Sequence, residues 1–174
     1  MDLASYIRDV PDFPKPGIVF KDITPLLADA AALKGAVDAL AECVAPLEPE
    51  IVLGAESRGF ILGPALAIRL GIGFAIARKP GKLPWTTVTA SYALEYGEDS
   101  LELHDDAIAK GMRVLVHDDL LATGGTARAT CDLAEAIGGT VVGCAFLIEL
   151  AFLGGRARLA PFPVHALISY DSED

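Results

Sequence analysis

The sequence predicts an α/β fold, a central parallel sheet with helices packed against both of its faces. Three observations predict it. Short continuous runs of Val, Ile and Leu recur along the chain, as strands covered on both faces require, in place of runs that alternate with polar residues. Between them lie longer stretches whose apolar positions carry helical spacing. The joins from a run to the next helical stretch are rich in glycine or acidic residues.

Taken in order, the strands are expected over residues 51–55, 73–77, 113–117, 141–148 and 164–168. Helices are expected over 33–45, 60–70 and 126–137, with a weaker one over 156–159. Residues 86–104 differ, because they alternate and are interrupted by Tyr96-Gly97-Glu98-Asp99; they read as a hairpin or lid outside the main sheet. There are no repeats and no linker, and 174 residues suit one domain, 1–174, with a real core. In a parallel sheet ligands bind beyond the carboxyl ends of the strands, so the strand-to-helix loops hold the candidate site.

Charge narrows the partners. Fourteen Lys and Arg stand against 24 Asp and Glu, a net charge of -10, which disfavours nucleic acid and anionic membrane surfaces. One compact basic patch remains, Arg78-Lys79-Pro80-Gly81-Lys82, too short for a nucleic-acid stripe and well sized for a small phosphorylated ligand. Cys43, Cys131 and Cys144 lie far apart in apolar segments and read as buried free thiols of a reducing compartment. The N-terminus has no apolar signal-peptide core, and no apolar run approaches the roughly 20 residues of a membrane span. A cytoplasmic protein is expected.

The most informative segment is VLVHDDLLATGGT, residues 114–126. A buried strand ends in two adjacent carboxylates, Asp118 and Asp119, at the mouth of a loop. The loop passes through Ala122, Thr123, Gly124 and Gly125 into a helix that begins near Thr126. Gly124 and Gly125 let the backbone bend sharply and bring N–H groups close to an anion. The helix N-terminus adds partial positive charge, and the Thr123 and Thr126 hydroxyls add donors. Asp118 and Asp119 cannot bind phosphate, but carboxylates accept hydrogen bonds from vicinal sugar hydroxyls. A diol site beside a phosphate site describes a ribose 5-phosphate. A Walker A loop needs a lysine that this turn lacks, and a dinucleotide fingerprint needs a GxGxxG that is absent from it. Glu56-Ser57-Arg58-Gly59 also follows a strand and opens a helix, which makes a second anion site of the same kind.

VLVHDDLLATGGT closely resembles the phosphoribosyl pyrophosphate (PRPP) binding motif of type I phosphoribosyltransferases, in the form found in adenine phosphoribosyltransferases. The resemblance continues through PDFPKPGIVFKDITPLL (11–27), ESRGFILGPALA (56–67), RKPGKLP (78–84) and SYALEYGEDSLEL (91–103), so it covers most of the chain in order. It implies a small hood and a flexible lid hairpin added to the sheet, and the conversion of adenine and PRPP to AMP and pyrophosphate. It implies Mg²⁺ arriving with the substrate, no metal site of the protein's own, and a homodimer. Ser57 and Arg58 would hold pyrophosphate in a loop that in the family often carries a non-proline cis peptide. Arg78, Lys79 and Lys82 would supply the cations that PRPP needs. Glu95 and Tyr96 fall in the lid, where Glu95 would assist proton transfer at the base. The backbone of Val19 would pair with the edge of adenine, the Phe20 ring would cover its face, and Lys21 lies in the same base-reading segment.

Three departures stand out. Lys21 replaces the arginine common in the family, giving up its fork near the base and becoming the expected source of any leak in base choice. His117 stands where the strand usually carries Val and reads as a hydrogen-bonded core or edge histidine rather than a catalytic one. Trp85 and the threonines after it also leave the family pattern. Two rival readings remain at this point: transfer to guanine, hypoxanthine or xanthine on the same fold, and a PRPP-sensing regulator without turnover. Retention of Glu95, Tyr96 and the basic loop weighs against the regulator.

Overall fold

The structure, a computed structural model, describes residues 1–94 and 97–172. The chain opens with a short antiparallel hairpin, β1 (Arg8–Pro11) and β2 (Val19–Asp22), followed by α1 (Thr24–Ala28) and α2 (Ala30–Val44). Next come β3 (Ile51–Ala55), α3 (Gly59–Leu70) and β4 (Gly73–Ala77). A second hairpin, β5 (Thr87–Leu94) and β6 (Gly97–His104), precedes β7 (Arg113–Leu121), α4 (Gly125–Ala136) and β8 (Thr140–Leu150). The chain closes with α5 (Gly155–Arg158) and β9 (Val164–Tyr170).

Five strands form one parallel sheet in the order β4-β3-β7-β8-β9. From β3 the chain proceeds outward through β4, then returns to lay β7, β8 and β9 on the other side. The direction of winding therefore reverses between β3 and β7, and the crevice at that switch point is where an open α/β sheet receives its ligand. Residues alternate across the sheet into two cores. Val114 and Val116 of β7 pack with Cys131, Leu133 and Ala134 of α4 and with Leu101 and Leu103 of β6. Leu115, between them, packs with Leu40 and Val44 of α2 and Leu62 and Leu66 of α3.

Most expected elements are present, and several differ. β7 does not stop at residue 117. β8 runs on to Leu150 and offers ladder partners as far as Leu120↔Ile148 and Leu121↔Glu149, so Asp118 and Asp119 lie inside a strand and not at a loop mouth. The hairpin outside the main sheet exists, but its break is narrower than Tyr96-Gly97-Glu98-Asp99 implied, since Gly97 is already paired with Leu94. Its body is also anchored: Leu101 and Leu103 are fully buried, and Arg78 at the end of β4 bridges to Glu102. The first hairpin has no apolar run to announce it. Cys131 and Cys144 are buried, their sulfurs 3.6 Å apart, whereas Cys43 sits exposed on the outer side of α2, a correction to the expectation of three buried thiols.

Helix α2 covers β8 and β9 and begins at a side-chain cap. Asp29 Oδ1 accepts from the N–H groups of Ala31 at 2.9 Å and Ala32 at 2.8 Å, two donors with no partner inside the helix. Replacing Asp29 with Ala should cost about 1 kcal/mol of stability, the usual value of such a cap. Urea unfolding of Asp29→Ala against the parent checks this; an unchanged midpoint would remove the cap from the account.

Candidate functional site

The loop from β7 to α4 is shaped by contacts between backbones. Gly124 adopts φ +81°, a left-handed conformation that side chains disfavour, and a methyl group there would lie 2.7 Å from the carbonyl oxygen of Gly155. A methyl on Gly155 would in turn lie 2.2 Å from the carbonyl oxygen of Ala122. The loop is thus folded directly onto the start of α5. Around it lies a cavity of about 130 Å³ lined by Arg58, Asp118 and residues 120–127, which include Ala122, Thr123, Gly124, Gly125 and Thr126. Helix α4 points its N-terminus at this cavity, with no side chain capping it. Its first N–H groups are therefore free to serve an anion.

At the mouth of the switch-point crevice the two carboxylates meet one guanidinium. Asp119 is 1% exposed, and among the described residues neither of its carboxylate oxygens has a hydrogen-bond partner; it pairs with Arg58, whose Nε lies 3.4 Å from Oδ1. Asp118 accepts a 2.9 Å bond from the N–H of Asp119 and lines the cavity. Burial and then the neighbouring Asp119 charge push the Asp118 carboxyl well up from its ordinary range. Burial pushes Asp119 up as well, against the attraction of Arg58. Two carboxylates this close and this dry resist carrying two charges together. Helix α3 is held tight against this point, since a methyl on Gly59 would come within 2.8 Å of the His117 carbonyl oxygen.

The loop after β3 contains a cis peptide between Glu56 and Ser57, with Ser57 and Arg58 exposed beyond it. Glu56 is the residue the sequence did not single out. Its carboxylate takes a 2.8 Å bond from Lys82 Nζ, a 2.8 Å bond from the N–H of Lys79, and two 3.3 Å bonds from Arg78. Burial opposes its ionisation, but these bonds outweigh it and hold the carboxyl at about 2. Lys79 Nζ pairs with Asp99 of β6. The basic patch therefore does not stand as open positive charge, as composition alone led us to expect; Glu56 and Asp99 act as its counter-ions.

The remaining wall comes from the first hairpin. The Phe20 ring meets Phe13 edge-on at 5.2 Å, and the Arg58 guanidinium lies 5.6 Å from the centre of the Phe20 ring. Ile18 turns its carbonyl inward to the N–H of Phe13. By alternation along the strand, the N–H and C=O of Val19 point out of the edge of β2 that no described strand occupies. Lys21 requires a correction. Its side chain is buried on the opposite face of β2 from Phe20, with Nζ 2.8 Å from Asp9 and 4.2 Å from the centre of the Tyr170 ring. It braces the hairpin against β9. His117 is fully buried; its Nδ1 donates to the Ala145 carbonyl at 2.9 Å, and burial pushes the ring down to about 4 despite that bond. Glu95 and Tyr96 lie outside the described residues.

The structure thus gathers Asp118, Asp119, Arg58 and residues 122–126 around one crevice and sets Phe20 beside them. Sequence reasoning missed Glu56, Phe13 and Gly155. The signals were present but faint: a carboxylate at the head of a loop recognised for its serine and arginine, a phenylalanine in a proline-rich turn, and the pair Gly154-Gly155.

The chain matches the phosphoribosyl transferase domain family over residues 23–159. It is 61% identical to an adenine phosphoribosyltransferase of Rubrobacter xylanophilus over 169 residues, covering 97% of this chain and 91% of that one. The crystal structure of adenine phosphoribosyltransferase from Thermoanaerobacter pseudethanolicus superposes with a TM-score of 0.95 at 48% identity, covering 97% and 98% of the two chains. The Saccharomyces cerevisiae enzyme, solved with an imino-altritol bisphosphate and adenine, superposes with a TM-score of 0.90 at 38% identity over 95% of this chain and 96% of that one. With the fold, the phosphate loop and these relatives in agreement, the chain belongs to the phosphoribosyltransferase family, among its adenine phosphoribosyltransferases.

Proposed function

We propose that the chain joins adenine to C1 of the ribose of PRPP, forming AMP and releasing pyrophosphate. The observation that carries this reading is the position of Arg58, which lies against both the Asp119 carboxylate and the face of Phe20. One side chain links a sugar-binding group to an aromatic wall, as a site that must hold ribose and base together requires.

The N–H groups at the start of α4, with Thr123 and Thr126, hold the 5-phosphate. Asp118 and Asp119 accept from the 2- and 3-hydroxyls, which gives the orphaned Asp119 oxygens their missing donors. Ser57 and Arg58 take the pyrophosphate end, and Arg78, Lys79 and Lys82 reach it by exchanging Glu56 and Asp99 for the arriving anion. Val19 pairs through its backbone with the edge of adenine while Phe20 covers the ring. N9 then displaces pyrophosphate: the C1–O bond breaks with its electron pair leaving on pyrophosphate, the C1–N9 bond forms, and the N9 proton departs with help from Glu95 in the lid, where Tyr96 helps to enclose the base. Positioning and stabilisation of the departing charge supply the rate.

In this reading Mg²⁺ arrives with PRPP, and Asp118 and Asp119 reach only the ribose hydroxyls. Bound with the substrate, the ion would neutralise charge on the departing pyrophosphate. The protein works as a homodimer in the cytoplasm; among the described residues no helix is long and apolar enough to cross a membrane.

Asp118→Asn and Asp119→Asn should each weaken PRPP binding and at the same time stabilise the fold at pH 7. The sign follows from the raised carboxyls. The unfolded chain releases these protons near the ordinary 3.8, and the folded chain releases them only at higher pH. Their contribution is therefore full below 3.8 and is lost as pH rises through the raised values. The gain in melting temperature of each variant should vanish toward acid pH. A loss of stability at pH 7, with PRPP affinity unchanged by calorimetry, would reject both the burial argument and the diol role.

Glu95→Gln should lower kcat by about 10²–10³, the usual range for a proton-transfer group. Unchanged turnover at saturating substrates would limit the lid to enclosing the site.

Base choice follows from Val19. Adenine presents an amine donor beside the N1 acceptor, and guanine and hypoxanthine present the inverse. A backbone pair cannot invert itself, so the wrong base leaves polar groups unmatched, at a cost of up to about 10⁴–10⁵ in kcat/KM. Comparing kcat/KM for the three bases at fixed Mg²⁺ and PRPP tests the reading. Lys21→Arg should leave the ratios unaltered, since Nζ lies on the far face of β2. Equal use of guanine would overturn the choice of adenine.

A further inference from the structure

An ion pair between a buried carboxylate and a half-exposed guanidinium lies behind the phosphate loop, outside every contact assigned above to substrate. Glu149, next to last in β8, is 5% exposed and stands in ladder register with Leu121, the last residue before the loop. Its Oε1 accepts a 3.0 Å bond from Arg156 Nε, and its Oε2 accepts from Nη2 of the same guanidinium. The remaining arm, Nη1, donates 2.6 Å to the carbonyl oxygen of Val164, where β9 begins. One side chain of α5 is thus fastened to the end of β8 and the start of β9 at once. A fork held on three oxygens fixes orientation as well as distance, which a lysine could not do.

Immediately before Arg156, Gly155 is in backbone contact with the loop. The built methyl positions on Gly124 and Gly155, at 2.7 Å and 2.2 Å from the opposing carbonyls, leave no layer of side chains between the two segments. A shift of α5 therefore passes undamped to Ala122 and Gly124. The N–H groups that would surround a phosphate are placed by that same backbone.

We propose that Glu149 and Arg156 are positioning residues for the phosphate loop, setting its geometry through Gly155 without touching substrate. This rests on the reading that residues 122–126 hold the 5-phosphate. It follows that ligands bearing that phosphate depend on the pair, and the free base does not.

The test uses the full chain and two conservative variants, Glu149→Gln, which keeps the shape without the charge, and Arg156→Lys, which keeps the charge without the fork. In each, the KM for PRPP and the Kd for AMP should rise about tenfold or more, the scale of effect seen for groups that orient a site from behind. The KM for adenine at saturating PRPP should stay within about twofold, because the base wall hangs on β2 and Arg58, and the contacts of the pair are to β8 and β9. Arg156→Lys should be impaired less than Arg156→Ala. PRPP and AMP binding equal to the parent in a folded variant overturns the proposal, as does an equal rise for adenine. Loss of folding in both conservative variants also overturns it, since the pair would then serve the fold as a whole. If the parent itself fails to bind PRPP and AMP, the reading of the phosphate loop falls instead.

Discussion

The arrangement depends on keeping two carboxyl groups dry at the end of a buried strand. Asp118 and Asp119 could sit comfortably in a solvated loop, where each would ionise without penalty. The ladder between β7 and β8 runs past them to Leu121 and denies them that, leaving Arg58 as the nearby cation. The unmet demand of Asp119 for donors is what the sugar diol of the proposed substrate would answer. The same extension of β7 delays the turn until Ala122, which brings the phosphate loop onto Gly155 and not into open solvent. Parts of the site that look separate in sequence thus share one cause.

Charge is handled differently on the two sides of the crevice. Beneath the basic loop, Glu56 is strongly ionised because three residues donate to it. At the end of β7 both carboxyls are held up by burial, and Asp118 also by the charge of Asp119. The chain keeps its cations ordered on internal counter-ions, so the basic loop takes its shape from its own ion pairs. This also explains how a protein of net charge -10 maintains a cationic patch without scattering it into solvent.

Much of the fold was legible because its signals are local. Runs such as Ile51–Ala55 and Gly73–Ala77 announce covered strands, and the spacing of Gly59–Leu70 announces a helix. The loop at Gly124 was legible because few chain segments combine paired carboxylates with a glycine turn. What escaped depends on partners distant in sequence. The end of β7 is set by the length of β8, the role of Glu56 by cations more than twenty residues away, and the burial of Lys21 by Asp9 and Tyr170. No window of sequence contains those pairs. The first hairpin escaped for another reason: four-residue strands with mixed polarity have no periodicity to detect.

The open edge of β2 has a consequence for solubility. An unpaired strand edge is a template on which other chains can add, and long flat ones seed aggregation. β2 is only four residues long, its neighbour β1 ends in Pro11, and the turn between them passes through the cis Phe13–Pro14 bond. An incoming strand would find too few bonds to repay its ordering. The edge is therefore protected by its length alone, which leaves the backbone groups of Val19 open on it without inviting another polypeptide to add.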